Sequence, residues 1–427
     1  MKHEEQYLLI LNEELKKAMG CTEPIAISYL SSILKDLLDK LPSKIDIFVS
    51  GNILKNVKSV VVPNTNGLRG IKAAVAIGVI AGNKDLKLEC ISKVSAKDIE
   101  NTLSYMERCK ININPSTDNY IFDIHIFMYE GENVVEGRII DNHTNIVYLR
   151  KNNEIMIEKE ISYHNSNLNL SNRDVLNVEE ILDFANNVEI NKVKYLIEEQ
   201  IRCNMLIAQT GLNGNYGANI GKTLLKHFPN DISIKARAYA AAASDARMSG
   251  CDLPVVINSG SGNQGITCSI PVIIYAEHLM VNNEKLIRAL VLSNLLTTHI
   301  KSGIGRLSAF CGVVAAGCAA GAGIAYLYDG DLAMISHTIV NSLAIVSGII
   351  CDGAKSSCAG KISTSIEAGI LGFKLYQEGN QFYSGEGIIT KGVDNTIKNI
   401  GILASQGMAQ TDKEIINLML KKDTNNN

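Results

Sequence analysis

The spacing of hydrophobic residues changes along the chain, and this change separates a mixed first part from a helical second part. Apolar residues recur every three or four positions over residues 8–18, which predicts a helix that ends near Gly20. Helices are also predicted after Pro24, with Thr22 as the capping residue, and over residues 70–82. Elsewhere in the first part, apolar and polar residues alternate as they do in strands. The predicted strands cover residues 45–49, 60–62, 86–94, 111–114, 120–129, 134–141, 146–150 and 154–160.

A polar, asparagine-rich stretch over residues 164–173 interrupts this pattern and predicts a linker. Beyond it the chain is rich in Ala and Gly, and helices are predicted from about residue 178 to residue 420. The sequence therefore predicts an α+β protein. A mixed α/β domain with N-terminal helices would cover residues 1–170, and an all-helical domain would cover residues 171–427.

Composition argues against several classes of protein. The net charge of −3 and the absence of a long basic run give no reason to expect binding to nucleic acid or to an anionic membrane. The first residues are polar and lack the apolar centre of an export signal, so a cytoplasmic location is expected. Ten cysteines in a reducing compartment are expected to be free thiols that can bind metal.

One uncharged stretch, residues 307–328, is long enough to cross a bilayer. It consists mostly of Ala, Gly, Ser and Cys, however, and these residues gain little from contact with lipid. Small residues also allow helices to pack closely inside a protein. A helical core is therefore favoured over a membrane domain.

Three cysteines near the end of the chain, Cys311, Cys351 and Cys358, are candidate metal ligands. Three thiolates can hold three corners of a [4Fe–4S] cluster and leave the fourth iron open as a Lewis acid. Their spacing lacks the C-x2-C runs of ferredoxins, and cysteine is often a buried core residue, so plain packing stays an alternative at this point. Cys318 lies on the same helical face as Cys311 and is either a core residue or a rival ligand.

Two segments rich in small polar residues, 50–56 and 259–265, offer backbone N–H groups to an anion. Neither fits the nucleotide P-loop pattern, and ordinary turns remain the alternative. The candidate substrate-binding residues in these segments are Asn52, Lys55, Ser261, Asn263 and Gln264.

Two arginines, Arg247 and Arg306, are candidates for holding a substrate carboxylate through two parallel hydrogen bonds. A structural ion pair is the alternative for each. Asp245 cannot pair with Arg247, because residues two positions apart on a helix do not face each other. His299 and Lys301 are candidates for proton transfer, with a structural role as the alternative for His299.

Taken together, these segments resemble the L-cysteine desulfidases, which are relatives of the alpha chain of iron–sulfur L-serine dehydratases. The chain is more similar to the desulfidase branch, because Cys-Thr-Glu-Pro stands where the dehydratases have a Ser-rich, His-containing motif. The matching segments keep their order along the chain, which is more specific than any single motif. They are residues 20–24, 50–56, 244–248, 260–265, 305–309, 311–312 and 351–358.

The resemblance implies an oxygen-sensitive [4Fe–4S] cluster held by Cys311, Cys351 and Cys358, and an active site that Cys21 reaches. The implied reaction is a β-elimination that converts L-cysteine into pyruvate, ammonia and sulfide without pyridoxal phosphate. Cys21 is the candidate base, because it precedes a predicted helix whose N-terminus lowers the pKa of a thiol. A packed core thiol is the alternative for Cys21. The site is expected between the two domains, since these cysteines come from opposite ends of the chain.

Two other functions stay open. An L-serine dehydratase would use the same cluster, because iron that activates sulfur also activates a hydroxyl group. A non-enzymatic sensor of oxygen or iron would bind the cluster but would have little need for the polar segments around it. The expected partner is a small amino acid, and a homodimer is compatible with the sequence, which does not determine the oligomeric state.

Overall fold

The computed structural model of the protein describes residues 2–58, 60–118, 120–159, 171–305 and 308–421. The predicted α+β class is confirmed, with one large sheet in the first part and mainly helices in the second. Most of the predicted linker lies outside the described residues, and the domain division at residue 170 stays a prediction.

The helices and strands follow in chain order. The helices are α1 (Glu4–Glu14), α2 (Thr22–Leu38), α3 (Gly51–Val57), α4 (Gly70–Ala81), α5 (Ala96–Arg108), α6 (Val178–Asn187), α7 (Ile190–Asn213), α8 (Ile220–His227), α9 (Ile232–Met248), α10 (Gly262–Leu279), α11 (Asn283–Ser302), α12 (Gly312–Leu327), α13 (Leu332–Val346), α14 (Cys358–Gln377), α15 (Val393–Ile402) and α16 (Ala409–Lys421). The strands are β1 (Lys17–Met19), β2 (Lys44–Val49), β3 (Lys110–Pro115), β4 (Asp123–Glu130), β5 (Asn133–Ile140), β6 (Ile146–Lys151), β7 (Glu154–Glu158) and β8 (Pro254–Val256).

The large sheet has the strand order β3-β2-β4-β5-β6-β7, in which β2 and β3 are parallel and the other neighbours antiparallel. Alternation in β2 buries Ile45, Ile47 and Val49 on one face. Helix α2 packs on the sheet at Gly137 of β5, where an added Cβ would lie 3.0 Å from the side chains of α2. This sheet and its helices enclose the first hydrophobic core.

A second core lies among the helices that follow residue 171. Helix α12, the uncharged stretch of the sequence, packs against α14 so closely that a Cβ at Gly317 would lie 2.5 Å from the carbonyl group of Ser365. Among the described residues, no helix combines the length and apolar character needed to cross a membrane. Helix α1 also joins this second core through Tyr7 and Ile10, away from the sheet that follows it in sequence.

Several local predictions are wrong. Residues 86–94 form no strand, because a short 3-10 helix (Lys84–Glu89) and turns occupy this region. Residues 60–62 contribute only a single bridge between Val61 and Arg69. Thr22 is the first residue of α2 rather than its cap, which is Cys21. The second part is not entirely helical, since β8 pairs with β1, a strand that replaces the predicted end of the first helix.

Candidate active site

One pocket of about 120 Å³ is lined by residues from both cores. The first part of the chain contributes Cys21, Thr22, Glu23, Lys55, Asn56, Phe122, Asp141 and His143. The second part contributes Arg247, Ser259, Gly260, Ser261, Asn263, Gln264, Lys301, Ser308, Phe310, Cys311, Gly312, Val313, Cys351, Gly353, Ala354 and Cys358. The pocket therefore gathers most of the residues that the sequence analysis singled out.

The pairing of β1 with β8 places the start of α2 beside the start of α10. Met19 lies opposite Pro254 in this small antiparallel sheet, and each strand leads within a few residues into its helix. The hydroxyl group of Thr22 then donates a hydrogen bond of 3.4 Å to the carbonyl group of Gly260. Gly20 is required at the turn, because its φ is +52° and an added Cβ would lie 2.0 Å from Pro63.

Backbone pairing also brings Cys311 and Cys351 together. A bridge joins Phe310 to Ile350, and the N–H group of Cys351 donates a hydrogen bond of 2.6 Å to the carbonyl group of Ala309. Cys358 opens α14 and donates a sulfur hydrogen bond of 3.7 Å to the carbonyl group of Gly353. The turn between these two cysteines thus faces the pocket.

Four helix N-termini meet at this pocket. Cys21, Ser261 and Cys311 each precede the first residue of a helix, and Cys358 is the first residue of another. The first turn of a helix presents unpaired N–H groups and a partial positive charge, which stabilise anions. The arrangement therefore favours thiolates or an anionic ligand.

Burial acts on the thiols in the opposite direction. Burial of Cys21 raises its pKa to about 12, although Arg247 opposes the shift. The expectation that the helix N-terminus lowers this pKa is therefore wrong for the pocket as it stands, because desolvation is the larger effect. Cys311 and Cys351 interact directly, which raises the pKa of Cys311 and lowers the pKa of Cys351. Burial raises the pKa of Cys358.

The guanidinium group of Arg247 lies in the pocket wall with spare donors. Its side chain donates a hydrogen bond of 3.1 Å to Asn263, and the residue is only 4% exposed. Within the described part of the chain, its Nε atom and the buried Oε1 atom of Gln264 have no hydrogen-bond partner. Gly262 allows the close approach of Arg247, since an added Cβ would lie 2.3 Å from Nε. Unpaired buried polar atoms of this kind are costly, and a polar ligand would satisfy them.

Two lysines also line the pocket. The ammonium group of Lys55, whose side chain is 1% exposed, lies 2.5 Å from a carboxylate oxygen of Asp412 in α16. The ammonium group of Lys301 donates a hydrogen bond to the carbonyl group of Gly305. Burial lowers the pKa of Lys301 to about 8, which places this amine within reach of proton transfer near neutral pH.

Comparison with known proteins places this site in a family. The sequence matches the serine dehydratase alpha chain family over residues 85–417, a range that includes Arg247 and the three cysteines Cys311, Cys351 and Cys358. The chain belongs to this family. The matched range begins after Cys21, so the first two helices of the pocket lie outside it.

Relatives from several bacteria match nearly the whole chain. A UPF0597 protein of Desulfitobacterium hafniense is 54% identical over 99% of this chain and 98% of its own length. UPF0597 proteins of Finegoldia magna and Treponema denticola are 45% and 44% identical, over 97% and 98% of this chain and 99% and 98% of their own lengths. The expected relation to the serine dehydratase alpha chain is thereby confirmed, and the assignment to the desulfidase branch stays a prediction.

The structure does not bring every candidate residue to the pocket lining, and one candidate is not among the described residues. Asn52 is not part of the pocket lining, and Arg306 lies outside the described residues. Cys318 is fully buried in the core of helices, as favoured for it. His299 pairs with Asp394 at 2.7 Å and does not line the pocket.

Asp245 also has a structural position, and it is not paired with Arg247. Its carboxylate accepts a hydrogen bond of 3.3 Å from the N–H group of Ala218, just before α8. Burial raises the pKa of Asp245 to about 6. Within residues 244–248, Arg247 therefore lines the pocket, whereas Asp245 holds the chain segment before α8.

Several pocket residues were missed. Glu23 belongs to the motif over residues 20–24, and a carboxylate two residues after the candidate base Cys21 could have indicated a site residue. Phe122, Asp141 and His143 come from the ends of β4 and β5, where the sequence shows only ordinary strand and turn residues. Their role at the pocket follows from the packing of the sheet against the helices.

The donor set at the pocket fits an iron–sulfur cluster. Cys311, Cys351 and Cys358 are free thiols that line the same pocket, and thiolate is the ligand that such clusters take. Throughout the described ranges, no three His, Cys, Asp or Glu side chains are grouped to hold a single metal ion. A cluster differs in this respect, because each cysteine binds a different iron atom and the sulfur atoms need not converge on one point.

Proposed function

We propose that the protein is a [4Fe–4S]-dependent lyase that converts L-cysteine into pyruvate, ammonia and sulfide. One observation carries the proposal: four free thiols and a buried guanidinium group with spare donors line the same pocket. Three of these thiols suit a cluster, and the guanidinium group suits the carboxylate that every amino acid carries. Membership of the serine dehydratase alpha chain family supports chemistry at the β-carbon of an amino acid.

Cys311, Cys351 and Cys358 would hold the cluster. When bound, the cluster supplies Lewis acidity that makes the substrate's sulfur a better leaving group. The protein contributes the positions of the three thiols and the positive ends of helices α12 and α14, which favour thiolate ligands.

Arg247 binds the substrate carboxylate in this proposal. Its guanidinium group is held by Asn263 and lines the pocket, and its Nε atom has no hydrogen-bond partner among the described residues. Burial strengthens this contact, because few water molecules compete with the carboxylate for the same N–H groups. Ser261 and Gln264 line the same wall and complete the polar surface.

Cys21 removes the proton from the α-carbon as the proposed base. Burial raises the pKa of Cys21 to about 12 and Arg247 opposes that shift, so the thiol has to lose its own proton before it can act as the base. Loss of the α-proton and of the sulfur gives aminoacrylate, which tautomerises to an imine, and water then releases pyruvate and ammonia. Lys301, whose pKa is about 8, also lines the pocket and suits return of a proton to the departing product.

The deciding experiment is anaerobic reconstitution followed by assays of sulfide, pyruvate and ammonia with L-cysteine. We expect equal amounts of the three products and an optical spectrum typical of a [4Fe–4S] cluster. A loaded protein that releases none of them from L-cysteine or L-serine would support the sensor function instead.

An L-serine dehydratase is the second candidate, and the family match favours it. Both substrates carry the same carboxylate and ammonium groups and differ only in the leaving atom. The ratio of kcat/KM for the two substrates separates the candidates. A ratio in favour of L-serine would replace the desulfidase proposal with the dehydratase one.

A further inference from the structure

Glu23 places a carboxylate in the wall of the pocket, and no charged side chain of the described residues forms an ion pair with it. One oxygen accepts a hydrogen bond of 3.0 Å from the side-chain amide of Asn56, and the other accepts one of 3.2 Å from the hydroxyl group of Thr22. Both partners are uncharged. Over the described residues, no lysine, arginine or histidine forms an ion pair with Glu23.

The cations of the pocket are held by other groups. Lys55 is paired with Asp412, Lys301 binds a backbone carbonyl group, and Arg247 binds the neutral Asn263. In the described part of the chain, the pocket therefore presents a carboxylate and a guanidinium group that form no ion pair with each other or with another side chain. Arg247 is buried and Glu23 is partly buried, and a buried charge is costly unless a partner meets it.

An α-amino acid supplies both missing charges at once, since its ammonium and carboxylate groups are attached to one carbon atom. Resting on the proposed function, we infer that Glu23 binds the α-ammonium group of the substrate while Arg247 binds its carboxylate. Asn56 and Thr22 orient the Glu23 carboxylate without neutralising it. Glu23 is thus a residue that selects amino acids over other small thiol-containing acids.

Two probes divide the substrate into its parts. Cysteamine carries the thiol and the ammonium group but no carboxylate, and 3-mercaptopropionate carries the thiol and the carboxylate but no ammonium group. Binding of each is measured anaerobically by calorimetry on the cluster-loaded protein. The variants are Glu23→Gln, which keeps the size and an acceptor oxygen, and Arg247→Gln.

We expect a crossed result. Glu23→Gln should weaken cysteamine binding by about 10–100-fold, the range typical of a lost charge-assisted hydrogen bond, and change 3-mercaptopropionate binding by less than about 2-fold. Arg247→Gln should weaken 3-mercaptopropionate binding by a similar factor and leave cysteamine binding nearly unchanged. Glu23→Asp should recover part of the cysteamine affinity, because it restores the charge. The control Glu189→Gln, at an exposed helix start that is not part of the pocket lining, should change the binding of neither probe.

The outcomes separate this inference from the proposed reaction. Equal weakening of both probes by Glu23→Gln would mean that the residue only supports the pocket wall, and unchanged cysteamine binding would also refute the assignment. Wild-type protein that binds neither probe would overturn it as well. Crossed binding without release of sulfide from L-cysteine would keep Glu23 as the ammonium site and refute the desulfidase reaction.

Discussion

The two sides of the pocket are built differently. On the second side, backbone pairing holds Cys311 and Cys351, and α12 and α14 behind them touch backbone to backbone at Gly317. On the first side, single side-chain contacts hold the polar residues, as in the pairs Lys55–Asp412 and Glu23–Asn56. Close-packed helices allow little displacement, whereas individual side chains can exchange partners.

This difference suits cofactor binding on the helical side of the pocket and substrate binding on the sheet side. A bound cofactor needs donors at constant positions, and a substrate needs groups that can bind and release it. We therefore expect substitutions on the helical side to affect cofactor retention and those on the sheet side to affect turnover or substrate binding. Arg247 is an exception, since it belongs to α9 of the second core but lines the pocket and is proposed to bind the substrate.

The largest expected effect concerns the second side. Replacing Cys311, Cys351 or Cys358 by Ser should remove most of the bound iron after anaerobic reconstitution, because a serine oxygen suits this iron less well than a thiolate. Turnover should fall by more than about 100-fold. Iron analysis and the optical spectrum measure this. Cys318→Ser is the matched control on the same helix, and loss of iron there with retention in Cys358→Ser would refute the ligand set.

The next effect concerns the first side. Cys21→Ala should keep the iron and reduce kcat by about 10²–10⁴-fold, which is the usual contribution of a positioned base. Cys90→Ala, another buried cysteine of the first core, is the control and should keep its kcat. Nearly full activity in Cys21→Ala would remove this thiol from the mechanism. Loss of iron would contradict the expectation that only the second side of the pocket retains the cofactor.

A smaller effect is expected for the ion pair that holds Lys55. Asp412→Asn leaves a buried ammonium group without its partner and should lower the free energy of unfolding by about 2–4 kcal/mol. Asp329→Asn removes a partner of Lys285 at 2.7 Å where the aspartate side chain is 86% exposed, and should cost less than about 1 kcal/mol. Chemical denaturation of both variants measures the loss in free energy of unfolding. Equal losses would show that burial does not strengthen the Lys55–Asp412 pair.

The smallest effect is a pH dependence at Asp245. The pKa of Asp245 is about 6 in the folded protein and 3.8 in the unfolded chain. Between these two pH values, the carboxyl group is protonated in the folded chain and ionised in the unfolded chain. The free energy of unfolding should therefore fall as pH rises from about 4 to 6, by at most about 1.4 kcal/mol per pH unit. Asp245→Asn should flatten this slope. An unchanged slope would show that another group titrates there.

Several features were accessible from the sequence because they depend on local pattern. Alternation along residues 45–49 predicted β2, and the small residues of 307–328 predicted a close-packed helix, which α12 is. The ordered motifs pointed to Arg247 and to the three cysteines of the second part, which the pocket brings together. The short strand β1 carries too few residues for its alternation to be distinguished from the end of a helix.

Tertiary structure decided what depends on distant partners. The pairing of β1 with β8 placed the start of α2 beside the start of α10, and α16 brought Asp412 to Lys55. The pKa of Cys21 followed from its burial rather than from the helix that it precedes. Sequence determined which residue types could do the chemistry, because motifs and periodicity are local. Only the fold decided their partners and burial, because contact and desolvation depend on segments far apart in the chain.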